Sequence, residues 1–161
     1  MTKNKVTAEQ KLAIDDLVYE SARRIDEDRL EEWTELFAEP CNYTITTREN
    51  YDQGLPVALM SCDSPGMLRD RVLSLRHANI FNIHLTRHVV GNVQVLEVSD
   101  GVFTVNSSYA VYQTDPEGAS TLFSVGRCLD EVVEEGGEYK FRSRQVIADT
   151  WGVPILLATP I

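Results

Sequence analysis

The residue patterns predict an α+β fold in which N-terminal helices pack on a long, curved antiparallel sheet to close a cone. Three observations predict it. Apolar residues recur at helical spacing near the N-terminus and again after Ser64. The period changes to two at Cys41. From Arg87 onward, strand-like stretches follow one another with turn signals between them. A chain of 161 residues can fill one core, so residues 1–161 are expected to form a single domain; no internal repeat or linker is visible.

The first helix opens with a capping box, in which Thr7 caps and Gln10 reaches back. Ile14, Leu17, Val18, Ala22 and Ile25 form its buried stripe. Asp26 and Asp28 interrupt that stripe and are expected to cap a second short helix. Leu30, Trp33, Leu36 and Phe37 give this helix its apolar face, and Pro40 stops it. Cys41, Tyr43, Ile45 and Thr47 then share one side of a strand, and Arg48 to Gly54 reads as a polar loop. The segment 55–62 has no assignable state. Ser64 followed by Pro65 starts a third helix with Met67, Leu68, Val72 and Leu75 as its buried face. Arg69, Asp70, Arg71 and Arg76 lie mostly on its other sides. Strands follow at 87–98, 102–114, 120–133 and 138–150, parted by Ser-Asp-Gly, Asp-Pro-Glu-Gly and Glu-Glu-Gly-Gly turns. Strands of this length twist and curve, and so wrap around the helices.

Charge and cysteine usage exclude several classes. A formal net charge of −10 repels phosphate backbones, so no nucleic-acid partner is expected. An anionic membrane surface is disfavoured for the same reason. No run approaches the roughly 20 apolar residues of a membrane span, and the N-terminus lacks the apolar stretch of a signal peptide. Cys41, Cys62 and Cys128 are far apart and odd in number, as expected of buried thiols in a cytoplasmic protein.

The search for chemistry returns mostly absences. A Rieske cluster needs closely spaced Cys and His pairs, and no cysteine here has a histidine two or three residues away. A mononuclear iron site needs two histidines and a carboxylate. His84 and His88 would lie about 13 Å apart on a strand, too far to share one ion, and His77 lies apart from both. An acid–base pair inside the cone is the rival reading, with Asp26, Asp28 and His88 as its members and Tyr43 or Tyr109 as hydroxyl donors. His88 shares the parity of Asn92 and Gln94, which points it away from the apolar side unless a bulge at Gly91 inverts it. Lys140, Arg142 and Arg144 make a basic stripe expected to pair with Glu131 and similar acids on a neighbouring strand. There is no nucleophile elbow and no glycine-rich phosphate loop. The segment 151–161, WGVPILLATPI, carries no charge and is expected to bury itself in its own core or against a neighbouring subunit.

Three stretches carry a family resemblance: DEDRLEEWTELFAEPCNY at 26–43, RENYDQGLPVALMSCDSPGMLRDRVLSLRHANI at 48–80 and RHVVGNVQVLEV at 87–98. Over nearly its whole length the chain resembles the beta (small) subunits of Rieske-type aromatic-ring-hydroxylating dioxygenases, which share the cone fold of nuclear transport factor 2. Asp63-Ser64, Met67-Leu68, Asp70-Arg71 and Leu75-Arg76 look most similar to subunits acting on benzoate-like acids, such as those of terephthalate dioxygenase and salicylate 5-hydroxylase. The resemblance implies a structural subunit without a catalytic centre of its own, in a cytoplasmic oxidoreductase of aromatic hydrocarbon catabolism. It implies an alpha subunit holding a Rieske 2Fe-2S cluster and a mononuclear iron, an α3β3 assembly with other beta subunits, and electrons from NADH by way of a reductase or ferredoxin. The alternative is a free-standing isomerase or dehydratase of the same fold using the Asp–His pair. Interface candidates are Arg71 and Arg76 as bidentate partners for carboxylates, His88 at a seam, and Trp151 with Ile155 as apolar anchors of the tail.

Overall fold

The computed structural model describes residues 5–77, 85–149 and 159–161. Helix α1 spans Ala8–Asp26 and starts as its capping box requires: Thr7 Oγ1 accepts from the Gln10 N–H (3.1 Å), and Gln10 Oε1 accepts from the Thr7 N–H (3.0 Å). Its inner face buries Ile14, Leu17, Val18, Ser21 and Ile25. Asp28, with φ 57°, takes the left-handed conformation that ends the run. Helix α2 is only Leu30–Thr34, and its N-cap Arg29 makes no side-chain cap bond. Asp26 and Asp28 are therefore not its caps. Pro40 does not stop it either, because the chain has already entered strand β1, Phe37–Thr47. Phe37 leaves the helix to pair with Phe141 across the sheet.

Aromatic packing fixes this corner. The Trp33 indole N–H donates to Ser21 Oγ (3.0 Å), and its ring meets Phe37 and Tyr43 edge-on at 4.9 and 5.2 Å. All three rings are at most 4% exposed. As expected, Cys41, Tyr43, Ile45 and Thr47 all face inward.

The polar segment after β1 is a short helix rather than a loop: α3 spans Arg48–Asp52, with Thr47 Oγ1 accepting from the Asn50 N–H (3.2 Å). The unassigned segment contributes the short strand β2, Met60–Cys62. Helix α4, Pro65–His77, begins where Ser64 Oγ accepts from the Met67 N–H (3.2 Å). Pro65, Leu68, Val72 and Leu75 bury its inner face, while Met67, expected there, is exposed. The remaining strands are β3 (Leu85–Ser99), β4 (Val102–Thr114), β5 (Ser120–Glu135) and β6 (Glu138–Ala148).

Among the described residues these six strands form one sheet in the order β2-β1-β6-β5-β4-β3. The meander β3 to β6 is antiparallel, and β1 joins it in parallel alongside β6. The β3–β4 turn places both Asp100 and Gly101 at positive φ (51° and 78°), the requirement behind the Asp-Gly signal. Register shifts interrupt four of the five strand pairings, twice between β3 and β4. Such bulges bend strands and raise their twist. The sheet curls so that α1 lies against β3 and β6, with the core between helix and strands. This is the cone fold of nuclear transport factor 2.

Where β5 pairs with the end of β6, Gly126 has no room for a side chain. A Cβ there would sit 2.1 Å from the Ile147 carbonyl oxygen, and backbone cannot swing aside as a side-chain tip can. Gly126→Ala is therefore expected to destabilise the chain by at least about 1–3 kcal/mol. Urea unfolding of the purified variant checks this, and an unchanged midpoint would contradict the packing described.

Candidate functional site

The last residue of α1 and an early residue of β3 meet inside the cone. Asp26 Oδ2 accepts the backbone N–H of His88 (2.8 Å), while Asp26 Oδ1 lies 2.6 Å from His88 Nδ1. The carboxylate is thus held twice by one residue. The two side chains are 6% and 4% exposed. His88 Nε2 is buried without a hydrogen-bond partner. It lines a small void with Ser21, Ser107, Tyr109, Cys128, Arg144 and the C-terminal Ile161.

A second buried pair borders this void. Arg144 Nη1 donates to Asp130 Oδ2 (2.9 Å), with side chains 5% and 0% exposed. Arg144 Nη2 reaches Cys128 Sγ at 3.5 Å. Burial pushes Asp130 up to about 6, against the pull of Arg144, and its Oδ1 has no partner. Burial also pushes the Cys128 thiol up to about 11, so this cysteine stays protonated and unreactive. Tyr43 Oη both donates to the Ile161 carbonyl and accepts from its N–H, each at 3.0 Å, which pins the C-terminal residue in the core. Tyr109 Oη pairs with Ser124 Oγ (3.0 Å). Burial raises the pKa of both phenols, so neither ionises readily.

These positions correct part of the parity argument. His88 faces the interior, because the pairing of β3 with β4 slips between Gly91 and Gln94, where Asn92 adopts φ 53°. Before the slip His88 and Val90 point in and Val89 points out; beyond it Val93 and Val95 point in. The same effect splits the basic stripe. Pairing of β5 with β6 shifts between Glu131 and Val132, so Arg142 stays outside on Glu131 (2.8 Å) while Arg144 turns inward. Asp130 and Arg144 were missed as buried groups. Asp130 shares its strand parity with Cys128 and Val132, the one sign that an acid faces the core there.

The other candidates scatter. Asp28 lies outside the site and pairs with Arg76 (2.7 Å). Arg76 also grips Glu31 (2.9 Å), and this guanidinium holds the Glu31 carboxyl down at about 2. Arg76 is therefore spent within the chain, clamping α4 to the start of α2. Arg71 is half-buried on α4. The His88 ring points into its own chain, with its side chain 4% exposed. Trp151, Ile155 and His84 lie outside the described residues. Among the described residues no group of three or more His, Cys, Asp or Glu could hold a metal ion, and no helix is long and apolar enough to cross a membrane.

The acid–base reading needs a pocket, and the void beside His88 offers only about 10 Å³ to a water-sized sphere. Sites for organic ligands measure about 300–1,000 Å³. The larger clefts are surface grooves elsewhere, one of about 630 Å³ between α2, α4 and the β5–β6 turn and one of about 950 Å³ along α1. Neither is lined by Asp26 or His88. On the outer sheet face, Leu85, Val89, Tyr112 and Leu122 stand 42–72% exposed on adjoining strands.

A filled cone with apolar side chains on its outer sheet has the form of a subunit built to be covered by others. Comparison with known proteins gives the family. Residues 20–154 match the model of the ring-hydroxylating beta subunit, and the chain belongs to that family. It is 44% identical to the anthranilate 1,2-dioxygenase small subunit of Burkholderia cepacia, over 85% of each chain. It is 29% identical to a terephthalate 1,2-dioxygenase terminal oxygenase beta subunit of Comamonas sp, over 87% of this chain and 91% of the other. Among solved structures, a Novosphingobium aromaticivorans chain assigned as the beta subunit of an aromatic-ring-hydroxylating dioxygenase superposes with a TM-score of 0.88. That chain is 40% identical, with 98% of this chain and 100% of the other covered.

Two predictions follow from the buried pairs. Asp26→Ala leaves a buried imidazole and a backbone N–H unpaired and is expected to cost about 3–5 kcal/mol. Asp28→Asn, which keeps a residue tolerant of the left-handed backbone there and removes a carboxylate 71% exposed and screened by solvent, is expected to cost at most about 1 kcal/mol. Equal losses on urea unfolding would contradict the assignment of Asp26 to the interior. For Asp130, the raised native value means the folded state holds a proton that the unfolded chain, with its ordinary value of 3.8, releases. Its contribution to stability is complete below about pH 4 and fades as pH rises through about 6. Asp130→Asn should flatten the slope of unfolding free energy across that window; an unchanged slope would contradict it.

Proposed function

We propose that this chain is the architectural small subunit of an aromatic-ring-hydroxylating oxygenase, and that oxygen activation takes place in a larger partner. The family match over residues 20–154 carries the reading. The small interior void supports it, since a chain with no room for a substrate beside its only buried Asp–His pair among the described residues has nowhere to conduct acid–base catalysis there. The exposed apolar row on β3, β4 and β5 supports it as well, because such area is commonly covered by a neighbouring chain.

The partner is the alpha subunit, holding a Rieske 2Fe-2S cluster and a mononuclear iron that together deliver electrons to oxygen at the ring. Electrons come from NADH through a reductase or ferredoxin. The assembly is α3β3 and cytoplasmic, and residues 1–161 contribute one domain to it. The substrate is an aromatic ring bearing a carboxylate, a reading that rests on anthranilate and terephthalate in the names of two relatives. Arg71 on α4, together with Trp151 and Ile155 of the uncharged tail, contacts the neighbouring subunits. Arg76 serves that contact indirectly, by fixing α4 against Asp28 and Glu31.

Co-expression with a large-subunit gene of a ring-hydroxylating oxygenase is the test. The chain should co-purify with a larger iron-containing protein, and oxygen consumption with an aromatic carboxylate should require both. Turnover by this chain unaided would contradict the reading. Trp151→Ala should shift the assembly toward separate subunits on size-exclusion chromatography, and an unchanged hexamer would remove Trp151 from the interface.

A further inference from the structure

We propose that the void beside His88 is a built site for one water molecule, which joins the Asp26–His88 pair to the Arg144–Asp130 pair. The inference does not depend on the family reading. Three buried polar atoms lack partners at this place, Ser107 Oγ besides the pair His88 Nε2 and Arg144 Nε. All three residues line the same void, and the His88 and Arg144 side chains are 4% and 5% exposed. Buried polar groups are almost always satisfied, by protein or by ordered water.

The chemistry of that pair is opposite. Asp26 accepts from the His88 Nδ1–H, so in the neutral ring Nε2 presents a lone pair and needs a donor. Arg144 Nε–H is a donor and needs an acceptor. Of the hydroxyls lining the void, Tyr109 Oη pairs with Ser124 and Ser21 Oγ accepts from the Trp33 indole, while Ser107 Oγ has no hydrogen-bond partner. A water molecule meets both needs together, donating one proton to the imidazole and accepting from the guanidinium. Its second proton is left for Ser107 Oγ, which also lines the void.

Size selects the same ligand. About 10 Å³ accessible to a water-sized sphere corresponds to a single water and excludes an organic molecule. A metal cation is disfavoured by the guanidinium in the wall. An apolar gas atom would leave all three polar atoms unsatisfied. The buried chain of groups then reads Asp26, His88, water, Arg144, Asp130, and it ties the end of α1 through β3 to β5 and β6. In this arrangement the His88 ring is oriented from both nitrogens.

A crystal structure of the wild-type protein, alone or in its assembly, tests the site directly. The expected result is one solvent peak in the void, about 2.7–3.2 Å from both His88 Nε2 and Arg144 Nε. An empty void, or a peak that contacts neither atom, overturns the proposal. In solution, a long-lived water should show cross-relaxation with the His88 ring Hε1 and should vanish in His88→Phe. If that variant fails to fold, the wild-type signal decides alone, and its absence counts against the site.

Discussion

The shape of this molecule depends on where its strands lose register. A regular sheet of this length would twist but would not close around a helix. Slips in four of the five strand pairings bend it until α1 can be covered on its apolar face. Each slip also reassigns which side chains face inward beyond it. The slip at Gly91–Gln94 brings His88 inside to meet Asp26, and the slip at Glu131–Val132 brings Arg144 inside to meet Asp130. The buried charges are therefore consequences of curvature. His88 and Arg144 line one small void with Ser21 and Ile25 of α1, where the sheet meets that helix.

Much of the fold was legible because its signals are local. The capping box at Thr7, the Ser64-Pro65 start of α4 and the Asp100-Gly101 turn each depend on neighbouring residues alone. The same holds for the inward row Tyr43, Ile45 and Thr47, which lies in β1 beyond its register shift between Phe37 and Asn42. The failures occurred where a tertiary contact outweighed a local preference. Phe37 looked helical until its pairing with Phe141 drew it into β1, and Pro40 then fell inside a strand. Asp26 and Asp28 have the composition of helix caps, but each is engaged by a residue distant in sequence, His88 in one case and Arg76 in the other.

The candidate site shows the limit more sharply. Strand alternation gives the facing of a residue only up to the next bulge, and residues of several kinds can host one. The possibility of inversion at Gly91 was visible; its occurrence was not. For Lys140, Arg142 and Arg144, a shared parity suggested a shared face, whereas one of them is buried. The size of the interior could not be read from the sequence at all. That size decides between a scaffold and an acid–base enzyme, since the Asp–His geometry by itself fits either.

The central claim is that this chain contributes architecture while iron and oxygen are handled by its partner. Iron analysis of the purified small subunit, expressed without the large one and exposed to ferrous ion before desalting, tests this most directly. The account predicts iron far below one equivalent per chain, with the full complement appearing only when the large subunit is present. Stoichiometric iron retained by the small subunit alone would contradict it.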